Sequence, residues 1–202
     1  MVTGDIIDSK RTNIEIAMEF IHGAVKIAPV YYVTGNHEAW SNVYNDLEVM
    51  LQQAGVVLMD NKKMSISRGD SFVELYGMPD PDFMLEYSND NTGNIIVESP
   101  FNQLNIENQD IFKILLSHRP ELIETYAKKE MDLVFTGHAH GGQVRLPFLG
   151  GLVAPNQGFL PKYTSGTYTM DATTVIVSRG LGNSIIPVRV FNRPELIVCT
   201  FE

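Results

Sequence analysis

The sequence predicts an α/β fold in which an α/β half is followed by a mostly antiparallel β half. Three observations carry this expectation. Short apolar, β-branched runs alternate with stretches of three- and four-residue apolar periodicity through the first 60 residues and again between 111 and 136. Each of those runs stops at a glycine or a polar cluster, as buried strands do where they enter loops. Beyond Gly142 the chain is punctuated by glycine and proline, and its remaining segments are β-rich.

Taken in order, Val2-Thr3 reads as the last step of a strand, and residues 13–27 form an amphipathic helix. There Ile14, Met18, Ile21 and Val25 share one face, Thr12 or Asn13 caps the start, and Pro29 follows the end. Val30-Tyr31-Tyr32-Val33 is a strand that breaks at Gly35-Asn36-His37-Glu38. A second helix is expected over 42–54, stopped by Gly55, and Val56-Val57-Leu58 is another strand. Alternation in Met64-Ser65-Ile66 and in residues 72–76, around Ser67-Arg68-Gly69-Asp70, signals a hairpin. Residues 79–109, rich in Asp, Asn, Ser and Pro, read either as a substrate-contacting lid or as a plain surface loop with a short helix. A strand at 111–116 and a helix at 121–129 lead to the apolar run Leu133-Val134-Phe135. The segments 168–170, 173–178, 187–191 and 196–201 complete the β-rich half. No repeat, low-complexity tract or linker divides residues 1–202, so one domain is expected.

Composition narrows the function. At 44% hydrophobic and 19% charged, the chain is an ordinary globular sequence. A net charge of -9, from 24 acidic and 15 basic residues, argues against a grip on a nucleic-acid backbone. A small phosphorylated substrate remains compatible, because a bound cation supplies positive field locally. The single Cys199 excludes an internal disulfide framework. No run approaches the roughly 18 apolar residues of a membrane span, and no signal peptide is visible after Met1.

The chemistry lies at the strand ends. Asp5 and Asp8 follow the first strand, Asn36 and His37 the second, His118 the strand at 111–116, and His138 and His140 the run 133–135. One such polar residue needs no explanation, but seven on four strands do. They converge only if the strands lie side by side with one polarity, as βαβ connections require. A carboxylate, amide and imidazole set suits a borderline divalent ion such as Mn, Fe or Zn better than an all-oxygen cation. The His138-Ala139-His140 pair can face one ion or two adjacent ones, and alone it would be read as structural.

Four segments resemble the motifs of the calcineurin-like metallophosphoesterases: Gly4-Asp5-Ile6-Ile7-Asp8, Gly35-Asn36-His37-Glu38, the lone His118, and Gly137-His138-Ala139-His140. Residues 140–147 and 178–195 further resemble a bacterial, cell-envelope-associated phosphodiesterase branch. The resemblance implies a sandwich of two mixed β-sheets flanked by helices. It implies two metal ions bridged by Asp5, one completed by Asn36, His118 and His138, the other joined by His140. His37 would contact the phosphoryl group or protonate the leaving group, oriented by Asp8. Hydrolysis of a phosphodiester or pyrophosphate bond by in-line attack of a metal-bound hydroxide is the implied reaction.

One part of the family pattern is missing. The family opens with an Asp-x-His motif on its first strand, and no Asp-x-His occurs in this sequence. One well-held ion is therefore expected beside a second of few protein ligands, together with an unpaired sheet edge and exposed apolar surface. An incomplete reading frame, a natural truncation completed by a partner or swapped strand, and a pseudoenzyme all fit. The alternative function is a non-catalytic metal- or phosphate-binding module. An N-terminal segment outside the sequence would allow membrane association and a cell-envelope rather than cytoplasmic location, and the open edge would allow oligomers. Among single residues, His22 reads as structural. Asp80 and Asp82 read as turn formers. Arg119, Arg145 and Arg179 read either as phosphate contacts or as ion-pair partners.

Overall fold

The computed structural model describes residues 1–83, 104, 106, 110–183 and 188–201. Two sheets run through it. In the smaller, β1 (Val2–Thr3), β2 (Tyr31–Val33) and β3 (Val57–Leu58) pair in parallel in the order β1-β2-β3. The larger has six strands: β4 (Lys62–Arg68), β5 (Ser71–Gly77), β6 (Lys113–Leu116), β7 (Leu133–Thr136), β12 (Gly166–Met170) and β13 (Thr173–Val177). Its order is β12-β13-β7-β6-β5-β4, parallel from β5 to β13, with an antiparallel hairpin at either edge. Between β7 and β12, two short hairpins pair β8 (Arg145–Leu146) with β9 (Gly150–Gly151) and β10 (Val153–Ala154) with β11 (Gly158–Phe159).

The sheets are layered because their strands are apolar on both faces. Val33, Met59, Leu75, Ile114, Leu116 and Leu133 meet between the two sheets. On the far side of the smaller sheet, Tyr32 and Leu58 pack against α1 (Ile14–Ala24) and α3 (Tyr44–Gln53) through Met18, Ile21, Leu47 and Leu51. On the far side of the larger, Leu115, Val134, Val175 and Val177 pack against α4 (Ile123–Lys128) through Ile123 and Tyr126. The period-two alternation of each strand thus feeds two different cores, and the α/β sandwich that the resemblance implies is the fold, with the larger sheet mixed and the smaller, among the described residues, parallel throughout.

Local signals behave as the sequence suggests at most boundaries. Asn13 caps α1, its Oδ1 accepting from Ile16 N at 3.1 Å. His22 lies exposed on that helix. Among the described residues, two expected strands do not form. Residues 196–201 pair with nothing, and in 188–191 only Val190 makes a single bridge, to Val144. Alternation gives a segment the surface of a strand, but a strand also needs a neighbour's free edge, and Pro194 interrupts the approach. Unforeseen elements include the single-turn helix α2 (Asn36–Ala39) inside the second motif and the hairpins β8–β9 and β10–β11. The region 79–109 is described at residues 79–83, 104 and 106, with a 3-10 turn at Pro81–Phe83; the lid expectation lies outside the described residues. No helix among the described residues is long and apolar enough to cross a membrane.

Candidate metal centre

The parallel arrangement brings the ends of β1, β2, β6 and β7 to one side of the sandwich. Chain approach there is backbone against backbone. A Cβ on Gly4 would stand 2.4 Å from Gly35 N, and one on Gly35 would stand 2.4 Å from Asp5 Oδ1. Only glycine admits that contact, so both motif glycines are steric requirements.

Four side chains meet at His118 Nε2. Asp5 Oδ2 lies 3.1 Å away, Asn36 Oδ1 3.1 Å and His138 Nδ1 3.0 Å. Ligand atoms of Asp5, His118 and His138 all fall within 4.8 Å of one another. His118, His138 and Asn36 are buried. The other ring nitrogen of His118 lies 2.6 Å from the Thr3 carbonyl, which accepts its proton and leaves Nε2 facing the cluster. A proton on Nε2 can be given to one of its three neighbours at a time, and Asp5 Oδ2 is buried without a hydrogen bond. A divalent cation would satisfy all four groups together, so the donor set fits the metal that the motifs imply.

The charges around this point follow from that crowding. Burial opposes ionisation of Asp5, but the His118 imidazole and the His37 amide outweigh it and hold the carboxyl below its ordinary value. Burial likewise opposes a charge on His118, but the Asp5 carboxylate beside it raises the imidazole to about 9. Burial and the His118 charge push His138 well below the usual imidazole range.

The remaining predicted residues stand apart from this group. His140 lines the same cleft but lies outside the close cluster, and burial pushes it down to about 4. His37 is buried, and its Nδ1 accepts from Ser9 N at 3.0 Å and contacts Ser9 Oγ at 3.1 Å. The orienting contact expected from Asp8 is therefore made by Ser9. The Asp8 carboxylate accepts instead from Lys10 N and Arg11 N, the free amides of its own turn. Local amides two and three residues away are easier for a short side chain to reach. Arg119 is a structural cation: its fork holds Asp80 through Nε and Nη2, both at 2.7 Å, with Asp82 at 3.1 Å. Asp80 and Asp82 are thus ion-pair partners rather than turn formers alone. Arg145 donates to the Gly141 carbonyl and Thr164 Oγ1, and Arg179 pairs with Glu195 at 3.5 Å.

Three residues escape the sequence reading. Fully buried Glu38 accepts from Asp5 N at 2.8 Å, Gly35 N at 2.7 Å and Ile7 N at 3.3 Å, tying two motif loops together. Its burial and the Asp5 charge raise it to about 7. Its only signal is its place as the last letter of the second motif. Asn156 Oδ1 and Glu121 Oε1 stand 3.4 and 4.0 Å from His138 Nε2. Nothing in their spacing marks them. A cleft of about 740 Å³ opens from the cluster along β1, walled by Phe20, Phe135, Ile176, Leu196 and Val198. Since β1 pairs only with β2 among the described residues, its other edge faces this apolar cleft.

Comparison with known proteins gives a consistent result. Residues 1–142 match the family model described as calcineurin-like phosphoesterase. The metallophosphoesterase YkuE of Bacillus subtilis is 29% identical over 203 residues, covering 99% of this chain and 66% of its own length. A second Bacillus subtilis metallophosphoesterase, YkoQ, is 27% identical over 96% of this chain and 69% of its own. The phosphodiesterase YaeI of Escherichia coli is 25% identical over 84% of this chain and 57% of its own. The chain thus spans between about half and two thirds of the length of these relatives.

Proposed function

The chain belongs to the calcineurin-like phosphoesterase family, and from that premise we propose that it hydrolyses a phosphodiester or pyrophosphate bond with the help of a divalent ion such as Mn, Fe or Zn. The observation that carries the reading is the meeting of Asp5, Asn36, His118 and His138 at one point from four separate strand ends. In this reading those four residues hold the tightly bound ion, and His140 reaches toward a weaker second one. Such an ion acidifies coordinated water and draws charge from the phosphoryl oxygens.

The chain's own groups supply the rest. Ser9 holds the His37 ring through Nδ1 and, among the described residues, leaves Nε2 free. There His37 would contact the phosphoryl oxygen, or as an imidazolium protonate the departing alkoxide and return to the neutral ring, as a water-derived oxygen displaces that group in line at phosphorus. Thr3 and Glu38 keep His118 and Asp5 in place for this chemistry. No protein nucleophile is needed: Cys199 is exposed and distant in sequence from every histidine motif. The relative named as a phosphodiesterase, YaeI, supports a diester over a monoester.

Turnover of bis-p-nitrophenyl phosphate with added Mn tests the reading. Activity above a His138→Ala control is expected. Stoichiometric metal and phosphate binding without turnover would instead favour a recognition module.

A further inference from the structure

A histidine ligand needs its proton on the ring nitrogen that faces away from the ion. An imidazole offers a lone pair at one nitrogen when the proton sits on the other, and the partner of that other nitrogen decides which form is present. For His118 the Thr3 carbonyl is that partner. His138 turns Nδ1 toward His118 Nε2 at 3.0 Å, so the question passes to its Nε2. Asn156 Oδ1 stands 3.4 Å from that nitrogen and Glu121 Oε1 4.0 Å. The carboxylate lies outside hydrogen-bond reach and the amide oxygen inside it.

The turn that carries Asn156 argues the same way. β10 and β11 pair Ala154 with Gly158, and between them Gln157 N donates to the Ala154 carbonyl at 3.3 Å. Pro155 takes the second place of this turn and Asn156 the third, with a φ of 57°. Proline followed by a residue of positive φ is the pattern of a type II turn, whose third place glycine fills without strain. Asparagine keeps the bend and adds a side chain. That side chain is the group that reaches His138.

The hairpin is braced against the metal-site loop. Leu152 N donates to the Gly142 carbonyl at 3.1 Å, and Ala154 is buried in the core of the larger sheet. The Gln157 amide clamps the Tyr163 backbone, its Nε2 donating to Tyr163 O and its Oε1 accepting from Tyr163 N, both at 2.8 Å. Asn156 therefore meets His138 from a fixed element 18 residues further along the chain.

We propose that Asn156 is a positioning residue of the metal centre: its Oδ1 accepts the proton of His138 Nε2 and so keeps the Nδ1 lone pair available to the ion. This role rests on the reading of Asp5, Asn36, His118 and His138 as a metal site.

Two measurements on the full chain test it. In the metal-free wild type, proton–nitrogen correlation spectra of the histidine rings should show His138 with its proton on Nε2; a proton on Nδ1 overturns the proposal. Calorimetric titration with Mn then compares Asn156→Gly, which keeps the turn, with Asn156→Asp, which keeps the acceptor. The Gly variant is expected to hold the tight equivalent roughly 10- to 100-fold more weakly with its Tm retained, and the Asp variant as tightly as the wild type or more so. A Gly variant that binds Mn like the wild type overturns the role of Asn156 and leaves the metal centre standing. Losses of affinity and Tm shared by both variants assign Asn156 to the turn alone and overturn it as well. A wild type that binds no Mn removes the metal centre and the role together.

Discussion

The two sides of the metal-site cleft are built differently. On one side, Asp5, Asn36, His118 and His138 leave the ends of four strands, with the Thr3 carbonyl fixing His118 and the buried Glu38 carboxylate fixing the loops that carry Asp5 and Asn36. On the other, Ser9 N and Oγ are the described hydrogen-bond partners of the His37 ring, and no described hydrogen bond holds the His140 ring. A ligand set is preorganised when rigid elements and second partners set its direction. The strand-end side chains are held from several elements, whereas His140 is held through its carbonyl, by Asn192, so an ion is expected to be held more tightly by the strand-end group than beside His140.

Breaking the fixed side should have the largest effect. Asp5→Ala or His138→Ala is expected to lower metal affinity by at least about 100-fold, more than the loss of an outer partner, as measured by calorimetry. His140→Ala should cost that same site less than about tenfold. Equal losses would erase the distinction between the two sides.

The strand that carries Asn36 can be probed through pH. Asp60 accepts from Thr34 N at 3.1 Å, and burial raises its carboxyl to about 6. An acid whose folded value exceeds its unfolded value binds more protons when folded, so the contribution of Asp60 to stability is full below about pH 4 and is lost as pH rises through about 6. The full loss is on the order of 3 kcal/mol. Asp60→Asn keeps the acceptor and should make the slope of denaturant midpoints between pH 4 and 7 shallower, leaving the part that buried Glu38, raised to about 7, contributes. A slope unchanged from the wild type would place its origin elsewhere.

Next in size is Glu38→Gln, which leaves three amides to share one carbonyl oxygen. A stability loss of about 2 kcal/mol is expected, with weaker metal binding because Asp5 and Gly35 are no longer tied. Unchanged affinity would mean that strand geometry alone fixes the ligands. The smallest effect is expected on the loosely held side. Ser9→Ala keeps the amide that orients His37 but removes the hydroxyl contact, and a kcat reduction of about tenfold or less should follow, with metal affinity unaltered.

Much of this was legible beforehand, for identifiable reasons. Asp5, Asn36, His118 and His138 stand at the ends of apolar runs, and strand polarity alone sends them to one place. The helices over 14–24 and 44–53 announced themselves by periodicity and caps. The groups that position the ligands were not legible, because their contacts are set by tertiary approach. The Thr3 carbonyl lies 115 residues from His118, and Arg119 finds Asp80 across 39. The contacts of Asp8 with Lys10 N and Arg11 N were not legible either, because a motif states which residues are present and not which amide lies closest. Residues 196–201 kept the pattern of a strand, yet pairing depends on an edge elsewhere in the chain. The hairpins β8–β9 and β10–β11 gave only a loop signal, since their strands are two residues long.

The metal centre itself is tested most directly by titrating the metal-free protein with Mn by calorimetry, alongside His138→Ala and His140→Ala. One tight equivalent in the wild type, retained in His140→Ala and lost in His138→Ala, is the expected result. A wild type that binds no ion, or a His138→Ala variant that binds as tightly as the wild type, would contradict the reading of Asp5, Asn36, His118 and His138 as a metal site.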